Sequence, residues 1–466
     1  MVIRNPATEE DICTIVSASG RDVRLAVHDA HEAFKSGVWS RAPAIQRSAV
    51  LSNLARDLQE RIPELAKIES IQTGRTVREM TAQMGRLPEW LDYYAALLRT
   101  HTAFVAPTQG ALLNYVQRVP LGVVAQITPF NHPLLIAIKK IAPALAAGNS
   151  VIVKPSELAP ISVLEFAEMA AGAGVPPGVL SVLPGPGKTT GKELISSPHI
   201  RKVDITAPIV IFDDADPISA ANGAAFACFI ASGQTCVSGT RLIIQDQIYD
   251  EFMAHFLRKV ESVTRRMGNP LNPKSTMGSV ISPRQLVHIE NVVKRATKGS
   301  AKIVIGGKRM TGTSELDGFD FSKGSFFAPT IVSDVSTNDE IWREEIFGPV
   351  VVVKRFKEEK EGVDLANASK YGLGAGIWTT DLSRAHRIAA EIDAGLVWVN
   401  SHHRNDPSSP WGGMKQSGIG RENGIEAYEA YSQSKSIIIN TATVEETQNA
   451  QDWFAEGEDE TPQRYG

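Results

Sequence analysis

The sequence predicts an α/β fold built on parallel sheets, and three observations carry that prediction. Apolar runs of strand length alternate with helical patterns from Leu121 onward. Several of those runs are continuous rather than alternating, as a strand covered on both faces requires. At 466 residues the chain also exceeds what one core ordinarily holds, so two or three domains are expected.

The elements follow in order. The first hundred residues read as helices, with VRLAVHDAHEAF and AVLSNLARDLQERIPELAKIES showing apolar positions at three- and four-residue spacing. The polar, extended stretch from Thr102 to Arg118 reads as a hairpin arm ahead of Pro120. LGVVAQIT, closed by Pro129, reads as a buried parallel strand; the helix PLLIAIKKIAPALAAG and the strand NSVIVKP follow. A helix from Ile161 to Ala173, the strand GVLSVLPG and a short helix lead to VDIT, which ends at Thr206. A second series opens at Ala207 with PIVIF, a helix to Ile230 and RLIIQ. It continues through APTIV, VVVVKRF, GLGAGIWT, a helix through His386 and Ile388, and GLVWVN. SKSIIIN is a late, isolated strand, and the acidic, polar tail from Val444 is expected to be loosely ordered.

Bulk composition narrows the function classes. Charged residues at 21% and hydrophobic residues at 43% are ordinary globular values. A net charge of −4 gives no reason to expect nucleic acid or an anionic membrane as a partner. Three cysteines, Cys13, Cys228 and Cys236, are too few and too odd in number for a disulfide framework. No apolar stretch approaches the ~18 residues of a membrane span, and neither end matches a targeting signal. A soluble protein of the cytoplasm is expected.

Two loops carry candidate chemistry. GQTCVSG sets Cys236 between a helix and a strand, where small neighbours let a substrate carbonyl approach a thiolate. TPFNHPL sets Asn131 just past a strand end, the edge at which ligands of parallel sheets gather. Its amide could donate to an oxyanion formed when Cys236 attacks a carbonyl. Other patterns mislead. LPGPGKTTG has the GKT of a phosphate loop, but that pattern needs a glycine at Val182, and the spacing is wrong for a dinucleotide fingerprint. Asp213, Asp214 and Asp216 suggest helix capping rather than a metal. His402 and His403 have no partners at zinc-site spacing, so no metal is expected.

Taken together, TPFNHPL, GNSVIVKPSE, GQTC, EEIFGPV, VWVN and WGGMKQSGIGRENG resemble the aldehyde dehydrogenase superfamily in order and spacing, save one interval. The resemblance spans NPATEE to SKSIIIN. It implies a Rossmann-type cofactor domain at 1–101 and 119–206, an α/β catalytic domain at 207–432, and an oligomerisation arm and strand at 102–118 and 433–443. A polar tail occupies 444–466.

The resemblance also implies the roles. Cys236 attacks an aldehyde, Asn131 and the cysteine's own amide hold the oxyanion, and NAD takes the hydride, leaving a thioester that water hydrolyses. Lys154 and Glu157 would hold the adenosine ribose, with Glu157 disfavouring NADP by repelling a 2′-phosphate. Glu345 would hold the nicotinamide ribose beside Phe347. Ile127, Thr128, Phe130, Ser156 and Gly187 complete the expected cofactor contacts. His132, Thr235, Asn400, His402 and Trp411 are the expected substrate pocket. Trp411 and the polar SHHRNDPSS loop favour an aromatic or functionalised aldehyde. A homodimer or homotetramer is expected.

The departing interval follows Thr206. There the family carries a loop, a helix and a strand ending in ELGGK, whereas this chain passes directly to APIVIFDDAD. Roughly thirty residues, one helix-plus-strand unit, are missing. With them go the helix N-terminus that covers the pyrophosphate and the glutamate that serves as hydrolytic base. A slab of core beside the gap should be uncovered. Sustained NADH production from simple aldehydes is not expected, and a non-catalytic homologue with residual binding is the alternative.

Overall fold

The computed structural model describes residues 1–196 and 209–451, with side chains through residue 448. The junction at Thr206, the strand VDIT and the tail beyond Gln451 lie outside the described residues.

The larger sheet has seven strands. Their order is Lys302–Ile305, Thr330–Ser333, Val350–Phe356, Arg241–Gln245, Ile209–Ile211, Gly374–Trp378 and Leu396–Val399. All neighbours pair in parallel except the antiparallel edge strand Lys302–Ile305. Alternate side chains feed opposite cores. Ile209, Ile211, Leu242, Ile244, Val351 and Val353 pack on one face. Val210, Ile243, Val350 and Val352 pack on the other. Double coverage explains why these strands read as continuous apolar runs.

The smaller parallel sheet runs Val123–Ile127, Ser150–Lys154, Leu180–Val182. It shares a core with the N-terminal helices Ala44–Thr73 and Pro88–Thr100 and with the helix Pro133–Ala146. Among the described residues, Val123–Ile127 pairs on one side only. Its other edge, from Leu121 through Ile127, forms one wall of a cavity of about 650 Å³. Among the described residues, a strand whose sequence suits burial on all sides therefore lies at the end of its sheet.

The polar stretch after Thr102 forms a hairpin of Phe104–Ala106 with Leu112–Pro120, and Ser432–Asn440 adds to it antiparallel over nine residue pairs. Phe104, Val105, Leu112, Leu113, Ile438 and Ile439 are exposed on this sheet. The expected loose tail differs in its first part: Val444–Gln451 is a helix, begun by Thr443, whose hydroxyl accepts from the Glu446 amide while Glu446 accepts in return. That reciprocal cap is legible in TVEE. No helix among the described residues is long and apolar enough to cross a membrane.

Candidate active site

Cys236 lies where the two sheets meet, after a turn that L-residues resist. The helix Pro217–Phe229 ends, and Ala231, Ser232 and Gly233 all take left-handed backbone angles, with φ of 55°, 54° and 71°. A side chain at Gly233 would meet the Gly348 carbonyl oxygen at 2.1 Å, so glycine is required there. Such strain persists only where surrounding contacts enforce it. Here the Ala231 amide donates to Glu79 at 2.9 Å, and the Ser232 hydroxyl donates to the Gly278 carbonyl at 3.0 Å.

The same carboxylate links the two halves of the site. Glu79 pairs with Arg75, which is buried and donates to the Asn131 carbonyl at 2.9 Å and to His132 Nδ1 at 2.8 Å. One ion pair therefore holds both the turn before Cys236 and the backbone of Asn131. The Asn131 side-chain amide donates to the Gln234 carbonyl at 2.9 Å, tying it directly to the cysteine loop. His132 Nδ1 also lies 2.7 Å from Gln83 Oε1, and its Nε2 lies 3.1 Å from the Thr235 hydroxyl. Burial, reinforced by Arg75, keeps that imidazole neutral. Glu69, fully buried, accepts from the Leu134 amide at 2.8 Å and so fixes the start of the helix that follows Asn131.

The cavity wall contains Cys236, Asn131, His132, Thr235, Trp411, Ile127, Thr128, Glu345 and Phe347 together. Phe130 stands edge-on to Phe347 at 5.7 Å. Burial pushes the Cys236 thiol up to about 12; Lys139 and the cysteine's own amide pull it down, and Glu345 and Glu422 push it further up. Burial also pushes the Glu345 carboxyl up to about 8.

Lys154 and Glu157 lie off this cavity. The Lys154 ammonium donates to the Pro155 carbonyl at 2.8 Å and to the half-exposed Glu157 at 3.4 Å. The Ser156 hydroxyl accepts from the Leu158 amide. Gly187 opens a π-helical turn, Gly187–Gly191, with open space where a side chain would stand.

Two expected pocket residues are not in the cavity wall. The Asn400 amide is spent on the Thr379 backbone, accepting from its N–H at 3.0 Å and donating to its carbonyl at 2.8 Å, which staples two strand ends. His402 is buried behind the cysteine loop, donating from Nε2 to the Val237 carbonyl at 2.6 Å and packing on Trp398. His403 lines the cavity instead. A loop that changes direction at each residue cannot be assigned a facing from sequence. The aspartates act as caps and ties: Asp216 accepts from the Ser219 amide, and Asp214 accepts from Thr379, Thr380 and Asp381 and pairs with Arg384.

Among the wall residues that sequence reasoning missed are Lys139, Lys140 and Glu422. Lys139 lies 3.1 Å from Glu422, Lys140 pairs with the other carboxylate oxygen, and Lys139 sits 4.4 Å over the Trp411 ring. The signal was available: two adjacent lysines interrupt an otherwise apolar helix in PLLIAIKKIAPALA.

A cysteine on a strained turn, an amide aimed beside it and a cavity at parallel-strand ends define an enzyme class that works through a covalent thiol adduct on a carbonyl. Comparison with known proteins agrees. The profile of the Aldehyde dehydrogenase family matches residues 1–208 and, in a second piece, 206–437. An aminoaldehyde dehydrogenase of Malus domestica, described as peroxisomal, is 37% identical over 469 residues, covering 93% of this chain and 91% of the relative. PnpE from Pseudomonas sp. WBC-3, solved with nicotinamide adenine dinucleotide, is 35% identical with a TM-score of 0.89, covering 95% of this chain and 94% of that one. An aldehyde dehydrogenase from Bacillus cereus, solved as an NAD+ complex, is 31% identical with a TM-score of 0.90, covering 95% and 93%. The chain belongs to the aldehyde dehydrogenase family. The two matched pieces meet at 206–208, where the sequence passes directly from VDIT to APIVIF.

Proposed function

We propose that this chain oxidises an aldehyde to the acyl level at Cys236 with NAD as hydride acceptor, and that hydrolysis of the resulting thioester is its impaired step. The observation that carries the reading is the Asn131 amide, hydrogen-bonded to the cysteine loop and sharing the cavity wall with Cys236. Cys236 gives up its thiol proton to water in the cavity and its sulfur bonds to the aldehyde carbon. The carbonyl oxygen becomes an oxyanion that receives N–H donors from Asn131 and from the Cys236 backbone. NAD supplies the acceptor for the hydride leaving that carbon, and the carbonyl re-forms as a thioester on Cys236. Water must then add to the thioester to release the acid and the thiol, and the sequence carries no ELGGK glutamate to activate it.

The residues present fit part of NAD. Thr128 keeps a buried hydroxyl with no hydrogen-bond partner, and Glu345 and Phe347 stand beside it in the wall. Lys154 and Glu157 suit ribose hydroxyls, and the Glu157 carboxylate favours NAD over NADP. The pyrophosphate lacks the helix N-terminus that relatives place over it. Exposed Phe104, Val105, Ile438 and Ile439 support pairing of the hairpin sheet with a second copy, as a homodimer or homotetramer.

Intact-mass and peptide analysis after incubation with an aldehyde and NAD tests the proposal. An acyl mass increment on Cys236, absent from Cys236→Ala, is expected. No increment on Cys236, or an equal one on the variant, would overturn it.

A further inference from the structure

The charge balance of the cavity wall is uneven. Its carboxyl and amino groups are Lys139, Lys140, Glu345 and Glu422. Two ammonium groups share the single carboxylate of Glu422, at 3.1 Å for Lys139 and in a direct pair for Lys140. Burial opposes the charge on Glu422, but the two lysines outweigh it and hold the carboxyl at about 2. Glu345, pushed by burial up to about 8, is largely neutral at pH 7. Burial likewise keeps His132 and His403 uncharged. At the Glu422 end of the wall, two ammonium groups therefore face one carboxylate.

Lys139 is the better placed of the two lysines to meet a substrate. Its helix starts immediately after Asn131 and His132, and its ammonium caps the Trp411 ring in the pocket. It is close enough to Cys236 that each charge shifts the other's titration. An ammonium has three N–H donors. Glu422 takes one, and the face of the Trp411 ring attracts the charge without accepting a conventional hydrogen bond. A buried cation with spare donors attracts an anion and repels an ammonium.

We propose that the pocket selects an aldehyde bearing a second, anionic carboxylate group, received by Lys139. The proposal rests on Cys236 being the nucleophile, and it sets this chain apart from enzymes whose substrates carry a protonated amine.

Paired alkylating reagents test it without cofactor or turnover. Iodoacetate and iodoacetamide are similar in size and differ in carrying a carboxylate or a neutral amide. Their rates on the full chain are read at each cysteine by peptide mass spectrometry, with exposed Cys13 as the internal reference. Effects on thiol ionisation cancel in the ratio. At Cys236 the iodoacetate-to-iodoacetamide ratio should exceed that at Cys13 by about tenfold, the equivalent of ~1.4 kcal/mol of charge attraction. It should fall by a similar factor in Lys139→Met and persist in Lys139→Arg. If Lys139→Met does not fold, the comparison of Cys236 with Cys13, together with Lys139→Arg, decides. Equal ratios at the two cysteines, or a Cys236 ratio indifferent to Lys139→Met, would overturn this proposal alone. Failure of Cys236 to react with either reagent would overturn the nucleophile reading and this proposal with it.

Discussion

The two parallel sheets of this protein obey the same rules and end differently. In the seven-stranded sheet, alternate residues of each central strand enter separate cores, and both faces are closed. In the three-stranded sheet, Val123–Ile127 pairs on one side only among the described residues and lines the cavity. The proposed nucleophile is anchored from the side of the larger sheet, through the turn after Pro217–Phe229. The proposed NAD site adjoins the smaller one. The contacts that hold the proposed catalytic residues come from outside the smaller sheet. Here Arg75 and Glu79 reach Asn131 and Ala231 from an N-terminal helical segment that the gap does not touch.

The largest expected effect tests that support. Glu79→Ala leaves the buried Arg75 guanidinium without its carboxylate and frees the Ala231 amide. Breaking a buried pair in this way costs roughly 3–5 kcal/mol, read as a lower denaturation midpoint. An unchanged midpoint would mean that the cysteine turn is held by other contacts. Asn131→Ala comes next. Removing one oxyanion donor should slow acyl transfer to Cys236 by about 10²–10³, while iodoacetamide alkylation, which forms no oxyanion, keeps its rate. Equal slowing of both would make Asn131 a structural residue only.

Hydrogen exchange compares the sheets directly. Amides of Val123–Ile127 should exchange faster than those of Arg241–Gln245, by about tenfold or more. Equal protection would show that the open edge is no weaker than the closed sheet. The smallest effect is a pH dependence. Burial depresses His402 to about 4, although the Val237 carbonyl favours its charged form. The folded chain then binds fewer protons than the unfolded chain between that value and the ordinary histidine value near 6.5. Its stabilising effect is complete above ~6.5 and is lost as pH falls toward 4, at no more than about 1.4 kcal/mol per pH unit. The midpoint difference between wild type and His402→Asn should shrink over that window, and a constant difference would refute the assignment.

Much of this was legible because motifs are local. Cys236 with Thr235, Asn131 with His132, and Glu345 with Phe347 lie on short loops at strand ends, where glycine and proline declare the turns. What was not legible depends on contacts between distant segments. Lys140 and Glu422 are 282 positions apart, so their pairing leaves no pattern in either neighbourhood. The Arg75–Glu79 pair looks like an ordinary helix-surface i,i+4 pair until folding buries it. Asn400 and His402 were placed in the pocket from their motif, but hydrogen bonds to Thr379 and Val237 turn them elsewhere.

Steady-state NADH production by the purified 466-residue chain, with NAD and an aldehyde in excess, tests the central claim most directly. At most one equivalent of NADH per Cys236 is expected, with no sustained turnover. Continuous production at ordinary enzyme rates of about 1–10³ s⁻¹ would contradict it, because a hydrolytic base and a pyrophosphate site would then have to be present.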